Sequence, residues 1–434
     1  MRAANAVRVW LTRLGRIGLT LGLVFCGVDV ARRGVAEWYF DRQTIDGLRG
    51  AVRWWPESAQ YLAVLANALD NSALEGNAGE AVRLSEEAVR LAPLDAGGWA
   101  QLGAAYEAID RAADAARAYH KAVALFPRSP EMNWRLGNFL LRQEDTAGAL
   151  SAFRQVVSGS PAMRRAAFQT AWGATEDSRQ ILGRMIPQQP EIFLEYLHYL
   201  LGTQRIDAAR EVWWWLLDGG FPVSREEALR YLEALLAGER SEDAIAAWEA
   251  LAARTPNLYA TPHRAGNRVT NGKFEFDVLN GGLDWRFVPV EGAAVRVIPG
   301  GAADSARCLE VAFAGTHNVN FWQVFEFVPV EPATRYRFTA RVRAREISSD
   351  SGPRFLVRDT GDERRLRAET SAVLGTTEWI ELRLEFRTSP ATHLLDLRLV
   401  RPASRKFDGR IGGTFWVDDV RVEALEPTAN AAQR

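Results

Sequence analysis

The chain has 434 residues, an apolar fraction of 47% and a formal net charge of −1. That length predicts several domains with substantial cores, and a charge so near zero gives no global drive toward nucleic acid. The basic residues are almost all arginine, with only Lys121, Lys273 and Lys406 as lysines, and the two cysteines, Cys26 and Cys308, lie in different segments and imply no disulfide framework.

Residues 1–40 carry Arg2, Arg8, Arg13 and Arg16 ahead of an uncharged run, Ile17–Val28, closed by Asp29, Arg32 and Arg33. As a helix that run spans roughly 18 Å, short of a hydrocarbon core of ~30 Å. Extension back to Val9 gives the length only if Arg13 and Arg16 snorkel. A basic flank before an apolar run is the layout of an export signal or signal anchor. The charge bias predicts an inner-membrane anchor with the rest of the chain in the periplasm. The stretch Leu23-Val24-Phe25-Cys26 faintly resembles a bacterial lipoprotein box, with Phe25 where that family has a small residue. The alternative is an ordinary buried N-terminal helix.

Residues 41–260 read as paired helices. Thr44–Trp55 is a half-repeat ending at Pro56, and Tyr61–Pro93 is a weak repeat. The stretch Pro93–Pro161 then lies on itself when slid by 34 residues. Trp99, Leu102, Gly103 and Tyr106 share one face of a first helix. Ala115, Tyr119 and Ala122 share a face of the second, and Pro127 stops it. The shift places Leu136, Gly137, Ala149, Phe153, Val156 and Pro161 on the matching positions. This pattern resembles the tetratricopeptide repeat (TPR) family, and all eight consensus places are filled by Trp99, Leu102, Gly103, Tyr106, Ala115, Tyr119, Ala122 and Pro127. The resemblance implies an α-solenoid whose first helices line a concave groove for a protein partner. The polar groove positions are Gln101, Asn133, Arg135, Asn138 and Arg142; the alternative is a plain solvated face. After Pro161 the pattern loosens into the pairs Ala162–Ala174 with Ser178–Ile186, Ile192–Leu201 with Asp207–Leu217, and Ser224–Ala237 with Ser241–Arg254. Ser224 and Glu227 form a capping box. Trp213-Trp214-Trp215 cannot all face one core, since successive helix positions are ~100° apart; an interdomain or membrane-proximal contact is expected for at least one.

Residues 261–425 change period from 3.6 to 2, after a polar linker at Thr261–Thr270. Inward positions are assigned to Leu309, Val311 and Phe313; to Val319, Phe321, Phe325 and Phe327; to Tyr336, Phe338, Ala340 and Val342; to Ile380, Leu382, Leu384 and Phe386; and to Leu395, Leu397 and Leu399, with Phe415–Val422 closing the domain. This predicts a β-sandwich. The opening Asn271-Gly272-Lys273-Phe274-Glu275 and the closing Phe415-Trp416-Val417-Asp418-Asp419-Val420 resemble galactose-binding-like jelly rolls, in particular xylanase-associated carbohydrate-binding modules. The resemblance implies a structural calcium held by Glu275 with Asp418 or Asp419, and Trp379 as a core plug. A glycan-binding face is expected from Asn318, Asn320 and Trp322 with Arg337, Arg341, Arg383 and Arg398; the alternatives are a solvated ion-paired sheet or a docking face for the solenoid. Residues 426–434 read as a disordered tail.

The histidines show no metal-ligand spacing, no phosphate loop or G-x-S-x-G elbow occurs, and no facing carboxylate pair can be nominated. The expected fold is an N-terminal membrane helix, an all-α TPR-like solenoid and an all-β jelly-roll sandwich. The expected function is a non-enzymatic envelope scaffold with a protein partner in the groove, polysaccharide or an assembly on the sandwich, the membrane at the N-terminus, and no nucleic acid. A role in exopolysaccharide or O-antigen production follows by analogy alone. Its rivals are a protein-only adaptor with a ligand-free β-domain and a glycan-processing enzyme.

Overall fold

The computed structural model describes residues 2–70, 77–254, 266–302, 305–407 and 409–425, with side chains from residue 19 onward. The tail at 426–434 and most of the linker lie outside the described residues. The chain divides into two compact units, Met1–Gly219 and Gly220–Arg434.

The first unit begins with α1 (Arg2–Phe40) and α2 (Ile45–Trp54). Among the described residues no helix is long and apolar enough to cross a membrane, so the expected membrane helix finds no support here. The physical reason is the crowding of arginines on either side of a short apolar run. From Leu19 to Val30 that run is exposed, with Leu19, Leu21, Leu23, Val24, Phe25, Val28 and Val30 all uncovered. Further on, Ala36 is buried and Tyr39 lies so close to Gly50 that a Cβ there would sit 2.5 Å from its ring. The end of α1 is therefore the partner of α2, and the half-repeat is completed.

Paired helices follow: α3 (Ala59–Asp70) with α4 (Asn77–Leu91), α5 (Ala96–Glu107) with α6 (Ala112–Leu125), and α7 (Pro130–Arg142) with α8 (Thr146–Gly159). Each pair also packs on the next, as a solenoid requires. The 34-residue register has a direct steric basis. A Cβ on Gly103 would lie 3.0 Å from the Tyr119 ring, and one on Gly137 would lie 2.5 Å from the Phe153 ring. Pro130 sits in the first turn of α7 behind the cap of Ser129, whose hydroxyl accepts from Met132 N at 3.2 Å. The turns inside the pairs place Asp110 and Glu144 at φ 58° and 61°, with Gln204 and Glu239 alike in later pairs.

The looser region holds α9 (Pro161–Ala174), a short α10 (Ser178–Gln180) running into a π turn at Ile181–Met185, α11 (Pro190–Gly202) and α12 (Ile206–Asp218). Trp213 is fully buried, and Trp215 stacks on Phe193 with centroids 3.6 Å apart and planes at 2°. Two of the three consecutive tryptophans are thus used within the unit.

The second unit opens with α13 (Arg225–Ala237), which carries the Ser224–Glu227 capping box, and α14 (Ser241–Arg254). Among the described residues ten strands follow: β1 (Arg286–Phe287), β2 (Ala293–Pro299), β3 (Arg307–Ala314), β4 (Phe321–Pro329), β5 (Arg335–Ile347), β6 (Arg354–Asp359), β7 (Arg367–Glu369), β8 (Gly375–Arg387), β9 (Leu394–Arg401) and β10 (Gly412–Ala424). They form two antiparallel five-stranded sheets in the orders β2-β3-β10-β5-β8 and β1-β4-β9-β6-β7. Leu309, Val311, Phe338, Val342, Leu397, Leu399, Phe415 and Val417 fill the space between them.

The inward alternation expected for β4 fails half-way. The register shifts between Phe321 and Val324. A bulge exchanges the two faces of a strand, so Phe325 and Phe327 turn outward and Glu326 turns inward, fully buried.

Candidate functional site

In the first unit, Asn133 is buried and its amide donates to the Pro127 and Ser129 carbonyls, both at 2.9 Å. Asn138 donates to its own helix at Trp134 O, 2.8 Å, and Gln101 is buried. Arg142 on α7 reaches across to Glu107 on α5, with one nitrogen 3.0 Å from Oε2. The Tyr119 hydroxyl donates to the same oxygen at 3.2 Å. Burial, followed by the Glu107 charge, pushes that phenol well above its ordinary range. Arg135 is exposed. Of the five polar positions, Arg135 and Arg142 remain outward, and Arg142 is engaged in binding adjacent helices together.

An open cleft lies further along, between α9 and α11. It encloses about 390 Å³ and is lined by Pro161, Arg164, Arg165 and Phe168 from α9, and by Glu195, His198, Tyr199, Gly202 and Thr203 at α11 and its end. The four residues on α9 are spaced i, i+3, i+4, i+7, as are Glu195, His198, Tyr199 and Gly202, so each set is one helix face. Arg164 is fixed: its Nε donates to Val157 O at 2.8 Å, and a terminal nitrogen donates to Glu195 Oε1 at 2.5 Å. Phe168 makes the floor, with ring centroids 5.0 Å from Tyr196 and 5.5 Å from Tyr199. Arg165 stands exposed at the rim. The arrangement offers an aromatic floor, a fixed guanidinium and an exposed one, Arg165, to an extended segment. The sequence carried this signal as two polar faces at helical spacing, but the consensus had loosened there and the cleft was not nominated.

In the second unit, the expected glycan row is divided between opposite sheets. Trp322 and Arg398 belong with β4 and β9, whereas Arg337, Arg341 and Arg383 belong with β5 and β8. Asn318 spends its side chain internally, donating to Ser404 O at 2.9 Å and accepting from Arg401 at 2.7 Å. Asn320 is exposed, just ahead of β4. The Arg337 and Arg383 guanidiniums converge on Glu385, at 3.3 and 2.6 Å.

The outer face of the sheet containing β4 and β9 is ion-paired. Arg398 lies 4.1 Å over Phe325 and 5.4 Å from the Trp322 ring, and both Arg398 and Arg358 bind the buried Asp396 at 2.7 Å. Helices α13 and α14 are tied to the same sheet. Glu233 accepts from Arg286 at 2.6 Å and from Gly282 N at 2.7 Å, while a Cβ on Gly282 would lie 2.6 Å from the Trp248 ring.

Trp379 is not in the core. It is half-buried on the outer face of the other sheet, with the Arg343 guanidinium 5.4 Å from its ring. The fully buried tryptophan between the sheets is Trp285, against Phe274.

Glu275 and Asp418, far apart in sequence, are brought to one loop. Asp418 accepts from Ala302 N and Asp419 N, both at 2.6 Å, and Glu275 accepts from Ala306 N at 2.8 Å. Asp419 turns both oxygens to Arg421, at 2.9 and 3.0 Å. Burial holds the Asp418 carboxyl above its ordinary value. Calcium needs oxygens presenting their lone pairs to the ion, whereas these are capped by N–H groups and a guanidinium. Among the described residues no group of three or more His, Cys, Asp or Glu is placed to hold a metal. As placed, the donor set clamps Ala302 and Ala306 rather than presenting open oxygens to calcium. Cys308, buried beside that loop, has its thiol pushed up to about 11, chiefly by burial. Cys26 is exposed, and both cysteines are free.

A second pair of acids lies inside the sandwich. Asp284 accepts from Leu279 N at 2.7 Å and Trp285 N at 2.8 Å, and Glu326 accepts from Thr270 N at 2.6 Å through Oε1, with Oε2 unpartnered. Burial raises the Asp284 carboxyl to about 6 and pushes Glu326 well above its ordinary value, with the Asp284 charge as its next cause.

No protein-family model matches the chain, and no curated protein matches it. Among solved structures it is similar to MamA, at 20% identity over 38% of this chain and 90% of that one, with a TM-score of 0.29. It is similar to Pseudomonas aeruginosa PilF at 18% identity, over 53% of this chain and 93% of that one, TM-score 0.26. It is also similar to a CBM4 structure at 14% identity, over 36% of this chain and 99% of that one, TM-score 0.27.

Proposed function

We propose that the chain is a non-enzymatic scaffold whose helical unit holds a segment of a protein partner and whose β-sandwich contacts glycan. The cleft between α9 and α11 carries the first half of this reading: it is concave, floored by aromatics, and rimmed by a fixed guanidinium, Arg164, and an exposed one, Arg165, as suits a peptide groove. Asp284 and Glu326, whose carboxyls are coupled by charge, are almost entirely buried, which supports a non-catalytic role. The exposed apolar surface of α1 from Leu19 to Val30 supports attachment to a membrane, because a helix apolar on all sides needs a non-aqueous neighbour. An inner-membrane anchor with both units in the periplasm, near polysaccharide-producing machinery, is part of the proposal. The protein-only reading is favoured by one observation, the ion-paired and helix-bound face of the sheet containing β4 and β9.

The test of the groove is a displayed-peptide selection on the full chain, repeated with Gly202→Phe. A Cβ at Gly202 meets nothing within 4 Å, so the ring would fill the cleft without disturbing the helices. Selected peptides should lose binding by tenfold or more. Undiminished binding would place the partner elsewhere.

A further inference from the structure

The outer face of the sheet β2-β3-β10-β5-β8 carries a row of side chains that none of the roles above uses. Register sets Arg296 beside Glu310, Glu310 beside Trp416, and Trp416 beside Arg343. Arg296 Nε donates to Glu310 Oε1 at 2.7 Å, and Trp416 Nε1 donates to Glu310 Oε2 at 2.9 Å. The indole is thereby fixed flat in the sheet surface. Two guanidiniums lean on it, Arg343 at 4.2 Å and Arg345 at 5.5 Å from the ring centroid, and Arg343 continues to Trp379 at 5.4 Å. Between them they leave Trp416 only 6% exposed.

Arg341, Arg343 and Arg345 alternate along β5 on this face, roughly 7 Å apart. None of the three makes an ion pair among the described residues, although Glu381 stands opposite Arg341 in register. Elsewhere on the sheet Arg337 and Arg383 share Glu385, and Arg421 pairs with Asp419. An arginine stacked on an aromatic ring has its plane fixed and its N–H fork turned outward, the geometry that binds carboxylate, sulfate or phosphate oxygens in pairs. Trp379 beside it supplies an aromatic face for the apolar side of a sugar ring.

We propose that Arg343 and Arg345, on Trp416 and beside Trp379, form a binding site for an anionic glycan of the polyuronate class. This rests on the glycan reading of the β-sandwich and narrows it to one face and one charge. A chain of uronate sugars matches the row: carboxylates for the guanidinium forks, ring faces for Trp379. The near-neutral whole chain gives no long-range attraction for nucleic acid, so selectivity rests on this local array.

The test is binding of the full-length chain to immobilised polygalacturonate, with a neutral xylan in parallel, at low and high salt. Polygalacturonate should bind, weaken with salt, and lose tenfold or more in affinity with Arg343→Gln plus Arg345→Gln. Trp379→Ala should weaken it several-fold. A thermal melt of the double variant that matches wild type assigns the loss to the site. Polygalacturonate binding indifferent to these variants overturns the proposal, as does equal competition by DNA or polyglutamate. Xylan binding that depends on Trp322 overturns it and keeps the glycan reading; binding to neither polymer removes both.

Discussion

Acidification should stabilise the second unit, because burial raises the carboxyls of Asp284 and Glu326 above their ordinary values. The Asp284 carboxyl titrates at about 6 in the folded chain against an ordinary 3.8. A raised pKa in the folded state means stability that is full below the unfolded value and lost as pH rises through the folded one. A shift of about 2 units corresponds to roughly 3 kcal/mol lost between pH ~4 and ~7. Between about pH 8 and pH 5 the Asp284 share alone is ~1.4 kcal/mol, or roughly 3–5 °C in melting temperature for a unit of this size. Glu326 titrates in the same direction from its ordinary value of 4.5 and adds to the effect. Calorimetric melts of the full chain across this range should show one transition rising as pH falls. Glu326→Gln keeps the oxygen that accepts from Thr270 N and removes the proton. It should raise that transition at pH 8 and flatten its pH dependence. A transition that is flat, or that falls on acidification, would show that these two acids do not govern the unit's stability, as would a Glu326→Gln variant indistinguishable from wild type.

Gly137→Ala should destabilise the helical unit by about 1–3 kcal/mol, since its Cβ would lie 2.5 Å from the Phe153 ring, and Gly103→Ala should cost less; urea melts of both check the order. Arg401 is fully buried and donates to Ser351 O, Asn318 Oδ1, Val319 O, Ser349 Oγ and Gly409 O, with no carboxylate among them. Arg401→Ala strands those acceptors and should cost about 3 kcal/mol or more, with Arg401→Lys only partly restoring stability because an ammonium lacks the planar fork. Calcium should leave the melting temperature of the second unit unchanged, because Asp418 and Asp419 already receive N–H donors; a rise of several degrees on calcium addition, reversed by chelation, would show that the loop rearranges around an ion.

The helix pairs were legible because their register is written in local contacts. Gly103 against Tyr119 and Gly137 against Phe153 are each one glycine and one aromatic at a fixed spacing. The turn residues Asp110, Glu144, Gln204 and Glu239 were not, since they take left-handed backbone without being glycine or asparagine and are held there by the closing of the helix pair. The long alternations of β3, β5 and β9 were read correctly, whereas β8 leaves Ile380, read as inward, exposed, and β1 and β7, with two and three residues, are too short to show a period. The β4 bulge leaves no mark in composition, so Glu326 was read as outward and Phe325 as inward. The glycan row went astray for a topological reason. Alternation says that a residue faces outward and is silent on which sheet its strand joins, so Trp322 and Arg337 looked like neighbours. The Arg343–Trp416 stack depends on β5 pairing with β10, a contact between strands some 70 residues apart that no local pattern announces.

The most direct measurement of the scaffold reading is photo-crosslinking of the full chain in cells, with the crosslinker replacing Thr203 at the cleft or Gln155 on the exposed surface of α8. A scaffold with its groove at this cleft gives a discrete protein adduct from Thr203 that is absent from Gln155 and is abolished by Gly202→Phe. The same adducts from both positions, or none from Thr203, would contradict it.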